Sequence, residues 1–217
     1  MTILLNILLF FKPIILGWAL LNCDVKEDVM FYKDGSGSTI IELKIRDCHN
    51  EFRRHQGWKK KEVFNEKMDS LNKEFNTWLS MQPVTEASTV YDSAHLTITI
   101  SFRFEDVDKL NTTLLGMTDY DGKRVYNVRN GVISREHIPL FFAQQEHLKG
   151  EQPLAKKGFY HSYRVYITLP PGTRKFACKD NPKAMFNHRG MGIIIEEDMQ
   201  KIAVSEGLMA TIKYDTY

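Results

Sequence analysis

The residues that most constrain the fold are Leu96–Phe104, which read LTITISFRF. Every second residue in this stretch is apolar, and every residue between is polar. Because successive side chains of a strand point to opposite faces, this alternation predicts a strand with one face in a core and the other in water. The chain must therefore build a sheet and cover one of its faces with another layer.

A helical pattern runs from about residue 59 to residue 81 and ends before Pro83. Its apolar residues recur at spacings of three and four, which predicts an amphipathic helix. Its apolar face has two interpretations, because it could cover a sheet or line a groove for an apolar ligand. The second interpretation predicts these ligand-facing residues: Phe64, Phe75, Ile98, Ile100 and Phe102.

Two glycine-containing turns predict hairpins. Residues 34–37, DGSG, lie between β-rich residues 25–33 and 38–45, and Asn130-Gly131 divides residues 123–138. Asp, Asn and Gly favour the positive φ angles that such turns require. Further short segments predict strands or short helices: strands at 159–169, 176–178, 193–195 and 208–214, and helices at about 107–115 and 197–203.

This order of elements predicts an α+β fold. We expect a mostly antiparallel sheet, with one long amphipathic helix and one or two short helices packed on one side.

The N-terminal residues 1–22 are almost wholly apolar, and Lys12 is their single charge. About ten apolar residues after a lysine are typical of a secretory signal peptide. We therefore expect a signal peptide at 1–22 and a single globular envelope domain at 23–217. The alternative is an uncleaved segment that makes the chain a single-anchor membrane protein.

Leu20-Leu21-Asn22-Cys23 is similar to the lipobox of bacterial lipoproteins. In a lipobox the cysteine thiol becomes a thioether to diacylglycerol, and cleavage leaves that cysteine as an acylated N-terminus. The sequence therefore predicts lipidation at Cys23, with diacylglycerol and a fatty acyl group such as palmitate. Asn22 departs from the usual small residue but is compatible with more permissive lipoboxes.

The balance of charges limits the partners of this chain, and two cysteines remain besides Cys23. Without residues 1–22 the chain has 28 basic and 27 acidic residues, because Lys12 is the one charge removed. Such a balance creates no global field to attract nucleic acid. Cys48 and Cys178 form either a disulfide, which an exported chain permits, or two unpaired thiols.

Several motifs occur in an order that resembles the LppM-like group of bacterial lipoproteins. The cysteine closely precedes the hairpin at 33–37, a long helix follows, and ISFRFEDVDKL at 100–110 leads from a strand into an acidic helix start. Late in the chain a strand ends as YITLP at 166–170. The resemblance implies a membrane-tethered α+β domain with a non-enzymatic role at the cell envelope, and a lipid or glycolipid as a candidate ligand.

Motifs for catalysis are absent from the sequence. The seven histidines show no HExxH or other tight metal-ligand spacing, and no GxSxG occurs. We therefore expect no enzymatic activity, no metal and no cofactor apart from the covalent lipid. The expected partners are the membrane and a lipid or protein of the envelope; the alternative is an envelope enzyme with no recognisable motif.

Overall fold

The computed structural model describes residues 24–45, 60–117, 124–136, 162–187, 191–198 and 209–216. These ranges contain two helices and eleven strands. The helices are α1 (Lys61–Ser80) and α2 (Val107–Gly116). The strands are β1 (Asp24–Phe31), β2 (Gly37–Lys44), β3 (Thr85–Asp92), β4 (Thr97–Phe104), β5 (Tyr126–Arg129), β6 (Val132–Arg135), β7 (Ser162–Thr168), β8 (Thr173–Cys178), β9 (Met185–Asn187), β10 (Gly192–Asp198) and β11 (Ala210–Thr216).

The strands form two sheets. The larger sheet has the order β3-β4-β2-β1-β7-β10-β9, and the smaller has the order β5-β6-β11-β8. All neighbours are antiparallel except β1 and β7, which pair in parallel from Val25 opposite Tyr163 to Met30 opposite Thr168. The predicted α+β class with antiparallel pairing is confirmed, but the strands divide into two sheets where the sequence led us to expect one.

The core lies between the two sheets. In β1 the buried residues are Val25, Glu27, Val29 and Phe31, so this face of the larger sheet points inward. One cluster of buried residues includes members of both sheets, and the rings of Phe31 and Tyr126 meet across it with centroids 5.6 Å apart. The smaller sheet is therefore part of the cover that the alternating strands require.

The helices add further cover. Four residues of α1 are buried: Phe64, Met68, Trp78 and Leu79. Helix α2 begins at an N-cap, where the Asp106 carboxylate accepts a hydrogen bond from the backbone N–H of Lys109 at 2.8 Å. Neither of the two described helices is long and apolar enough to cross a membrane.

Both predicted hairpins are present, joining β1 to β2 and β5 to β6. Strands β3 and β9 were not predicted. Strand β3 lies at one edge of the larger sheet and reads TEASTVYD, and its register with β4 shifts between Thr85 and Ser88. A polar edge strand with an irregular register lacks the alternation that makes a strand visible in a sequence.

Candidate functional site

The five predicted ligand-facing residues divide between two apolar clusters. Ile100 and Phe102 on β4 belong to the main core and are only 1% and 2% exposed. Phe64 on α1 is fully buried in a second, smaller cluster with Ile45 and Met68. These three side chains are packed against other apolar groups, as in an ordinary protein interior.

Phe75 and Ile98 are less enclosed. Phe75 packs against the main core, and its ring centroid is 5.1 Å from that of Trp78. Ile98 contacts both clusters and so lies where they meet. A role for the five residues in ligand binding stays a prediction.

The cysteines can be placed only in part. Cys23 and Cys48 lie outside the described residues, so lipidation and the disulfide both stay predictions. Cys178 ends β8, is half-buried, and has its sulfur 3.4 Å from Asp180 Oδ1. Burial, together with its hydrogen bond to Asp180, raises the pKa of the Cys178 thiol, which disfavours the reactive thiolate.

The most unusual chemistry in the described chain is a buried polar cluster of Glu27, Tyr126, Arg135 and Tyr163, which we call the polar brace. Glu27 on β1 and Tyr163 on β7 belong to the larger sheet, and Tyr126 on β5 and Arg135 on β6 belong to the smaller sheet. All four are at most 3% exposed. The brace therefore crosses the core and joins the two sheets.

The Glu27 carboxylate is the centre of the polar brace. Its Oε1 accepts a hydrogen bond from the Tyr126 hydroxyl, and its Oε2 accepts one from the Tyr163 hydroxyl. Arg135 Nη2 donates to Glu27 Oε2 at 3.0 Å and lies 3.3 Å from the Tyr163 hydroxyl oxygen. The guanidinium carbon also lies 5.7 Å from the Tyr126 ring centroid and 5.6 Å from that of Tyr163, within range of a cation–π interaction.

The surroundings keep the tyrosines neutral and the arginine charged. Burial, followed by the nearby Glu27 charge, raises the pKa of Tyr126 and of Tyr163 well above the ordinary value. Burial by itself lowers the pKa of Arg135, but the negative charge of Glu27 and the hydrogen bond to it outweigh burial, so the pKa is raised. The brace thus contains one compensated ion pair and two protonated phenols.

A buried asparagine holds one member of the polar brace in position. Asn111 on α2 donates from Nδ2 to the carbonyl oxygen of Tyr126 at 2.8 Å. Its Oδ1 accepts from the backbone N–H groups of Val125 and Tyr126, at 2.9 and 2.8 Å. Through this asparagine, helix α2 is attached to the backbone at the start of β5.

This arrangement suits a structural role better than a catalytic one. A general acid or base must reach its substrate, whereas Glu27 is 0% exposed and already accepts from three side chains. A carboxylate held in this way links strands and is out of reach of an outside molecule.

Our sequence reasoning missed the polar brace, although one signal was present. Glu27 shares the face of Val25, Val29 and Phe31 in a period of two, so a charged residue occupies a position that should be apolar. Such a residue needs a buried partner of opposite charge. The sequence contains many arginines, and nothing local distinguishes Arg135 among them.

Within the described ranges, no group of three or more His, Cys, Asp or Glu side chains is arranged to hold a metal ion. Comparisons with protein-family models, with curated proteins and with solved structures found no match to this chain.

Proposed function

We propose that this chain is an exported lipoprotein of a bacterial cell envelope, tethered to a membrane through an acylated Cys23. Its α+β domain has a non-enzymatic structural or interaction role. The support for the tether is the apolar run at 1–22 followed by Leu20-Leu21-Asn22-Cys23. The partners in this proposal are the membrane and an envelope protein or lipid.

One structural observation carries the proposal. Asp24, the residue after the cysteine at which the lipobox pattern predicts cleavage, belongs to β1 and pairs with Lys44 of β2. The Asp24 carboxylate accepts a hydrogen bond from the backbone N–H of Ser162 at 2.9 Å, so the fold includes the first residue after the cysteine. Cleavage before Cys23 would therefore keep Asp24 and its contacts with β2 and Ser162.

The packing supports a structural role for α1. We propose that α1 is an amphipathic helix packed on one side of the larger sheet, with Phe64 and Met68 as part of its buried face. The hydrogen bond from the Tyr91 hydroxyl to Asn65 Oδ1, at 2.9 Å, and the one from Thr89 Oγ1 to Asn72 Oδ1, at 2.7 Å, attach α1 to β3. A helix attached in this way supports a fixed cover over the sheet.

Binding of an apolar envelope molecule is the second candidate role. The observation in its favour is that Phe75 and Ile98 are only partly buried beside the two apolar clusters. This role would require the side chains between α1 and β4 to separate. An environment-sensitive apolar dye that brightens on mixing with wild type, but much less with an Ile98→Asn variant, would favour it.

Intact mass tests the tether. Wild type and Cys23→Ala are extracted from membranes, and their masses are compared. We expect wild type to begin at Cys23 and to carry diacylglycerol and acyl mass, and the variant to carry neither. A matched Cys178→Ala variant should keep the lipid, because Cys178 lies inside the fold. A wild-type chain that retains residues 1–22 without acyl mass would contradict the proposal.

A further inference from the structure

One end of the larger sheet is defined by strand ends that lie side by side. Asp24 starts β1 opposite Lys44 at the end of β2, and Lys44 lies opposite Thr97 at the start of β4. The row continues on both sides, to Asp92 on β3 and to Ser162 on β7. We call these five residues the tether rim: Asp92, Thr97, Lys44, Asp24 and Ser162.

Cys23 is followed directly by Asp24, a residue of the tether rim. One peptide bond joins Cys23 to Asp24, and consecutive Cα atoms across a trans peptide are about 3.8 Å apart. Asp24 is itself held by β2 and by the Ser162 backbone. Because β1 pairs with β2 and β7, the attachment point is near the middle of the sheet. The start of β1 cannot leave the sheet without breaking its hydrogen bonds to a neighbouring strand.

An acylated cysteine must lie at the bilayer surface, since each buried CH₂ contributes about 0.8 kcal/mol and several chains together give stable anchoring. A headgroup layer is about 5–8 Å thick on each side of the hydrocarbon. A rim that begins about 3.8 Å from the anchored residue therefore has to lie in or directly against that layer.

The exposed side chains around the tether rim suit headgroups rather than hydrocarbon. Lys44 is exposed, and so are Lys60 and Lys61 at the start of α1. The first turns of α1 lie beside the rim, because Phe64 packs with Ile45. Asp92 is exposed too, but its carboxylate is already engaged by Ala94 and His95, so the lysines are the groups that offer partners to lipid phosphates.

We propose that the tether rim, with the N-terminal end of α1, is the surface by which this domain rests on the lipid headgroups of its membrane. This inference rests on the proposed acylation of Cys23. It assigns an orientation to the domain: the opposite end of the larger sheet, with the turn at 32–36, faces away from the bilayer.

Site-specific photo-crosslinking in the full chain tests the orientation. A photo-crosslinking amino acid replaces Ser93, in the turn between β3 and β4, or Glu105, directly after β4. Both positions are exposed and flank the same strand. Eight residues at about 3.3 Å each separate the ends of β4 by about 26 Å, more than a headgroup layer spans.

A third variant carries the Ser93 probe and about 20 Gly and Ser residues inserted between Cys23 and Asp24, a linker with a root-mean-square length of about 25 Å. The three proteins are illuminated in membranes, and the fraction that gains the mass of a phospholipid is measured. We expect on the order of tenfold more adduct at Ser93 than at Glu105. The linker should reduce the Ser93 adduct about fivefold or more.

The same mass spectra report whether Cys23 is acylated, so two kinds of failure are distinguishable. Acylated protein with equal adducts at Ser93 and Glu105, or with a Ser93 adduct that the linker does not change, would overturn the orientation and leave the tether intact. Protein without acyl mass would overturn both the orientation and the proposed function.

Discussion

At the scale of single residues, the polar brace places an ion pair inside the described core. A buried ion pair contributes little net stability compared with apolar packing, but removal of one partner leaves the other buried without compensation. Glu27 has three donors, and each is supplied by a different strand. Each donor can therefore be tested separately. For Tyr163, the control is Tyr166 on the same strand.

We predict that Tyr163→Phe lowers the free energy of unfolding by about 1–3 kcal/mol, because Glu27 loses a hydroxyl donor in a site that water does not reach. Tyr166→Phe is the control, since Tyr166 is half-exposed on the opposite face of β7 and should change stability by less than about 0.5 kcal/mol. Urea denaturation of both variants measures the difference. Equal effects would show that the brace hydroxyl contributes no more than a surface hydroxyl.

At the scale of elements, the two predicted hairpin turns differ in what surrounds their glycines. Gly35 and Gly131 both have positive φ, at 85° and 73°. A Cβ at Gly35 would meet nothing within 4 Å, whereas a Cβ at Gly131 would lie 2.7 Å from the carbonyl oxygen of Tyr214. The β5–β6 turn is thus packed against β11, and its glycine is required by tertiary structure as well as by the turn.

We predict that Gly35→Ala lowers the free energy of unfolding by about 1–2 kcal/mol, the cost of a left-handed conformation for an alanine. Gly131→Ala should lower it by about 3 kcal/mol, because the backbone of β11 must also move. Thermal or urea unfolding of the two variants gives the comparison. A Gly131 variant no less stable than the Gly35 variant would show that the turn can shift away from Tyr214 at little cost.

At the scale of the whole molecule, the polar brace couples the stability of the described domain to alkaline pH. Tyr126 and Tyr163 have pKa values raised well above the ordinary value, chiefly by burial, so the fold retains protons that the unfolded chain releases. The stabilisation that these two tyrosines give the fold is complete below about pH 10. It is lost as the pH rises toward their pKa values in the folded state. Loss of either proton would place a second negative charge beside Glu27 in the core, which destabilises the fold.

We therefore predict that the free energy of unfolding falls as the pH rises above about 10, by up to about 1.4 kcal/mol per pH unit for each tyrosine. Tyr163→Phe removes one of these groups and should make the decline shallower. Urea denaturation at a series of pH values from about 8 to about 11 measures both slopes. If the unfolding free energy falls with pH at the same slope in wild type and in Tyr163→Phe, then Tyr163 ionises as readily in the fold as in the unfolded chain.

Local patterns anticipated much of the fold. The alternation at Leu96–Phe104 corresponds to β4, the helical pattern at 59–81 corresponds to α1, and the two turns form hairpins. Such features follow from interactions between residues close in sequence. Strand β3 was not predicted, because its polar residues do not alternate with apolar ones and its register with β4 is shifted.

The sequence by itself determined the α+β class, the hairpins and the position of a lipobox-like cysteine, because periodicity, turn chemistry and short motifs are encoded in neighbouring residues. Only the tertiary structure decided that there are two sheets, that β1 and β7 pair in parallel, and that Glu27 meets Arg135. Those contacts join residues more than a hundred positions apart. Their selection depends on which faces can be buried together and which charges can be compensated, and no local pattern records either.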